Sequence, residues 1–159
     1  MSNYSQGDFN SFCALINDTM TLFDDIIGLE NKKVDAISEN DVNLLDQYMN
    51  DEQAFLLKMR GLDYKREKVQ EQLGMPGKSF KQMADGFDKP ERETLDTLYC
   101  ELSSKSTELK EAVSSTKRYI DLHLASISSL LEKFEGTTYS KSGEKGQTLP
   151  SARFTPVKI

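Results

Sequence analysis

Apolar residues recur along this chain at spacings of three, four and seven, which gather them on one face of an α-helix, and they do so in three long stretches. The first carries Phe12, Leu15, Leu22, Ile26 and Leu29, widened by Ile16, Phe23 and Ile27. It predicts a helix over about residues 8–37, with Asp8 as its N-cap. Ser38, Glu39, Asn40 and Asp41 then interrupt the pattern with turn and cap residues. In the second stretch Tyr48, Phe55, Leu62 and Val69 stand seven apart beside Leu45, Met59 and Leu73, which predicts a helix over about 41–73. Glu52 and Arg66 fall on its flanking row, where the seam of a parallel coiled coil would avoid charge. An antiparallel helical hairpin accommodates them better.

Gly74, Pro76 and Gly77 end the second stretch, and Phe80, Met83 and Phe87 are spaced for one short helical turn against the ends of the hairpin. Pro90, followed by Glu91 and Glu93, opens a third helix over about 90–135, with Asp88 or Lys89 as its cap. At 1.5 Å per residue that is a rod of about 65–70 Å, longer than either earlier helix. Leu95, Leu98, Leu102 and Leu109 can pack on the hairpin. The row Val113, Ile120, Ile127 and Phe134, with Leu124 and Leu131 beside it, either rests on the hairpin as core or runs past it and exposes an apolar stripe. Ser114, Ser115, Thr116, Ser126, Ser128 and Ser129 loosen this half of the helix, because their hydroxyls compete for backbone hydrogen bonds. A soft segment with one apolar face suits a site that orders on a partner.

The pattern as a whole predicts an all-α protein: an elongated antiparallel hairpin plus a long third helix, coiled-coil-like, with a disordered C-terminal tail. Residues 1–135 would form one bundle domain and 136–159 a flexible tail, because the tail scatters glycine and proline among Ser, Thr and Lys.

Charge narrows the partners. The chain has 159 residues and a net charge of −6. Lys141, Lys145, Arg153 and Lys158 against Glu144 make the tail basic, so the helical body is more acidic than the whole. An acidic body repels phosphate backbones and anionic lipid, which argues against nucleic acid and membrane partners. No stretch has the length and apolarity of a membrane span, and the first ten residues lack a secretory pattern, so a cytoplasmic protein is expected. Cys13 and Cys100 are too far apart for a CxxC pair and read as two reduced thiols.

Catalytic chemistry has little to build on. His123 is the one histidine, which leaves no His-rich metal set, and it lies beside the third stripe as a satisfied or half-exposed imidazole. Asp24 with Asp25, and Glu91 with Glu93, point to different sides of a helix and cannot act as an acid/base pair. The glycines spell neither GxGxxG nor GxxxxGK[ST]. A non-enzymatic chain without metal or cofactor is expected, one that holds something rather than transforming it.

The order LFDDIIGLENKKVDAI, SENDVNLLDQ, EQAFLLKMRGLDYKREKVQEQLG and, after a variable middle, YIDLHLASISSLL, GTTYSKSGEKG and ARFTPVKI resembles the FlgN-type flagellar export chaperones over nearly the whole chain. It departs from that family at SSKST, Ser103 to Thr107. The resemblance implies a cytosolic chaperone that keeps hook–filament junction subunits from premature assembly and delivers them to the type III export gate or ATPase complex. On that reading Leu109, Val113, Ile120, Leu124, Ile127, Leu131 and Phe134 bind cargo, and Tyr139 docks at the export gate. The alternative is a self-assembling coiled-coil subunit without cargo, and either reading leaves room for weak self-association.

Overall fold

The structure, a computed structural model, describes residues 4–138, with side chains through Phe134. Its described residues are all-α: α1 (Gln6–Ser38), α2 (Val42–Gln72), the short α3 (Phe80–Asp85) and α4 (Glu91–Thr138). Two expected caps move. Ser5, not Asp8, occupies the N-cap of α1, without a side-chain cap bond, and Asp8 lies in the first turn, where its charge still suits the helix dipole. Pro90 stands one residue ahead of α4, and the carbonyls of Asp88 and Pro90 accept from Arg92 and Thr94.

The turn between α1 and α2 is tight because two caps share it. Asn40 takes φ 55°, a left-handed conformation that asparagine tolerates, and the Asp41 and Asn40 amides return to the Ala36 and Ile37 carbonyls at 2.9 and 3.1 Å. Asp41 then caps α2, its carboxylate accepting from the Leu44 amide at 3.0 Å. The far end of α2 closes in the same way, with Gly74 at φ 72° and the Met75 amide bonded to the Gln70 carbonyl at 2.8 Å. Gln70 is buried here, and its amide donates to the Met75 and Lys78 carbonyls at 3.2 and 3.0 Å, tying the loop to α2. Gly74→Ala forces a β-carbon into the left-handed region and is expected to cost about 1–2 kcal/mol, read as a lowered midpoint in urea unfolding.

Helix α1 is the spine: α2 packs against it antiparallel and α4 parallel, while no Cα of α2 comes within 8 Å of one in α4. Each outer helix therefore has one long neighbour. The apolar row of α2, including Phe55, Met59, Leu62 and Val69, is consequently only half-buried. At the base Phe9, Phe12, Ile16, Met83, Phe87 and Leu95 form the main core, with the Phe9 and Phe87 rings 5.2 Å apart edge to face. Cys13 packs beside this cluster, and burial pushes its thiol pKa up, which makes it a poor nucleophile. Higher up Leu22, Ile26 and Leu109 form a second, smaller core.

Candidate binding surface

The register of α4 on α1 decides where the third stripe lies. Lys105 Nζ meets Asp24 Oδ1 at 2.8 Å, and fourteen residues further along both helices Tyr119 shares a hydrogen bond of 3.1 Å with Ser38. His123 then shares one of 3.0 Å with the Asn40 side chain, its ring stacked on Tyr119 with centroids 6.5 Å apart. Tyr119 and His123 thus clamp α4 to the last turn of the hairpin. Periodicity marks His123 as a satisfied or half-exposed imidazole; its partner, and the part played by Tyr119, are not visible in the pattern.

Beyond the clamp α1 has ended and α4 continues to Thr138, about fifteen residues or about 22 Å. Its apolar face continues as well. Residues three, four or seven apart share a helix face, so the face that buries Leu109 and Thr116 on α1 runs on through Ile120, His123, Ile127, Leu130 and Phe134, with Leu124 and Leu131 beside it.

The seven residues expected to bind cargo consequently divide. Leu109 is only 4% exposed, packed on Leu22 and Ile26, and Val113 is half-buried against the same cluster, so both are committed to the core. Ile120, Leu124 and Ile127 are half-buried, while Leu131 is 43% and Phe134 79% exposed. Leu130, fourteen residues beyond Thr116 on the same row, is 62% exposed, and exposed Leu122 lies on the opposite face. Tyr139 lies outside the described residues.

Beneath the point where the stripe leaves the core sits a buried polar cluster that periodicity missed, because its members are charged. Lys33 Nζ bridges Glu30 Oε1 at 3.2 Å and Glu52 Oε2 at 3.1 Å. Thr116 of α4 donates its hydroxyl to the Ala112 carbonyl at 3.0 Å and lies 3.5 Å from the Glu30 carbonyl. Glu30 Oε2 is buried with no hydrogen-bond partner among the described residues. Burial, reinforced by the neighbouring Glu52 carboxyl, raises the Glu30 pKa above its ordinary value, with Lys33 and Thr116 pulling the other way. A signal was available: residues 26, 30, 33 and 37 continue one α1 face at spacings of four and three, with Ile26 and Ile37 at its ends.

Among the described residues no group of three His, Cys, Asp or Glu side chains is placed to hold a metal, and no helix is long and apolar enough to cross a membrane. A groove of about 730 Å³ at the base is lined in part by Phe12, Ile16, Phe80 and Leu102.

A helical scaffold in which one helix carries its apolar face past the ends of the other described helices has the form of a protein that binds other polypeptides. Comparison with known families makes this specific: residues 1–147 match the family model described as FlgN protein, and the chain belongs to that family of flagellar export chaperones. No curated protein and no solved structure matches it.

Proposed function

We propose that this chain acts in the cytoplasm as the chaperone of hook–filament junction subunits, covering their apolar terminal helices with the part of α4 that extends past the hairpin and handing them to the type III export apparatus. The observation that carries this reading is the continuation of the core-facing side of α4 past the hairpin as Leu124, Ile127 and Leu131. An amphipathic helix laid in that position bonds through its own apolar face, the helix-in-groove mode of recognition. The contact is short, which suits a chaperone that must let go. On the same reading Tyr139 docks at the export gate.

Calorimetric titration of the full chain with the C-terminal fragment of a junction subunit tests the reading, with saturable one-to-one binding at micromolar affinity or better as the expected result. Absence of heat with every junction subunit would overturn it, and a fixed homo-oligomer in light scattering would then favour the self-assembling alternative. Against that alternative stands the size of the overhang, about fifteen residues where stable interfaces use roughly 20–30 on each side.

A further inference from the structure

A helix lying on the part of α4 that extends past the hairpin has two directions open to it, and the ground at its lower end distinguishes them. The stripe continues the face on which α1 packs, so an occupant takes the place that a longer α1 would fill. Its lower end therefore meets the tip of the hairpin at Glu39, Asn40, Asp41 and Val42.

That tip is acidic. From Val34 to Leu57 the chain has neither lysine nor arginine, and it carries Asp35, Glu39, Asp41, Asp46 and Asp51 besides Glu52, which is paired with Lys33. The C-terminal end of α1, with no basic residue in its last turn, adds the negative end of a helix dipole. The positive end of α2 is already answered by the Asp41 carboxylate on the Leu44 amide. At the same level α4 contributes Lys117, Arg118 and Asp121, one net positive charge, too little to reverse the sign. Val42, 73% exposed in the first turn of α2, supplies an apolar step beside these charges.

A negative seat favours the positive, N-terminal end of a helix over its C-terminal end. We infer that the overhang takes an amphipathic helix of about four turns running in the direction of α1, its N-terminal turn, free of acidic residues, seated on Glu39 to Val42 and its apolar face on Leu124, Ile127 and Leu131. This rests on the cargo reading above and adds the polarity of the bound helix and the chemistry of its first turn.

Cross-linking measures that polarity. The full chain carrying Cys13→Ser, Cys100→Ser and Val42→Cys is mixed with a peptide spanning the C-terminal helix of a junction subunit, bearing one cysteine either before its first turn or after its last. Under mild oxidation the peptide with the N-terminal cysteine is expected to form the mixed disulfide at least tenfold faster. In calorimetry Glu39→Lys should weaken binding about two- to fivefold. Faster linkage through the C-terminal cysteine, or equal rates, with binding intact in calorimetry would overturn the polarity and leave the chaperone reading standing. Absence of binding by either peptide would remove both.

Discussion

Replacing Ile127 and Leu131 together by aspartate is expected to abolish binding of a junction-subunit fragment while leaving the helical content and unfolding midpoint of the chain nearly unchanged. Both residues lie on the part of α4 that extends beyond the His123–Asn40 clamp, and neither belongs to the two core clusters. Each side chain contributes about 1.5–3 kcal/mol when a partner covers it, and the incoming carboxylates add a desolvation cost. Affinity should therefore fall by at least about a hundredfold in calorimetry, the equivalent of roughly 3 kcal/mol. The same pair of substitutions at Leu109 and Val113 should instead unfold the upper core, because those two side chains pack on Leu22, Ile26 and their neighbours. Binding that survives the Ile127 and Leu131 substitutions would show that the part of α4 that extends past the hairpin is not where cargo is held.

The contrast between those two pairs marks what periodicity could and could not reveal. A heptad row fixes which residues share a face, and Leu109, Val113, Ile120, Ile127 and Phe134 do share one. It carries no information on where the neighbouring helix stops. That limit is set by two distant features: the double cap at Ser38 to Asp41, and the parallel register that brings Tyr119 beside Ser38. The first was legible from four turn-forming residues; the second required the packing of Leu95 among Phe9 and Phe12 at the base, which no local pattern specifies. Thr116 shows the same limit in reverse. Its hydroxyl counts with those of the serines against helix propensity, yet it is buried and directed back to the Ala112 carbonyl beside Glu30. By its position Glu52 is a charge that spoils a seam; its partner Lys33, from the facing helix, explains why it is tolerated.

Lys33→Met is expected to be among the most destabilising single substitutions in the chain, costing about 3–5 kcal/mol near neutral pH, because it leaves the Glu30 and Glu52 carboxyls facing each other without the cation between them. The loss should depend on pH in a direction fixed by Glu30. Its pKa in the fold is already raised above the ordinary value of 4.5, chiefly by burial. Just above 4.5 the folded chain therefore keeps a proton that the unfolded chain has released. Stability is greatest with respect to this group below that value and declines as pH rises through the raised pKa. Removing Lys33 raises the Glu30 pKa further, so the cost of the substitution should shrink as the solution is made mildly acidic and one carboxyl takes up a proton. Replacing the whole cluster, Glu30→Leu with Lys33→Met and Glu52→Leu, removes the buried charges together with the orphaned Glu30 Oε2, and should leave stability unchanged or raise it by about 1–4 kcal/mol. Urea unfolding of the three chains across mildly acidic to neutral pH checks both expectations. A Lys33→Met chain as stable as the unaltered one at neutral pH, or one whose deficit grows on acidification, would mean that the ion cluster does not hold α1 to α2 in the way its geometry implies.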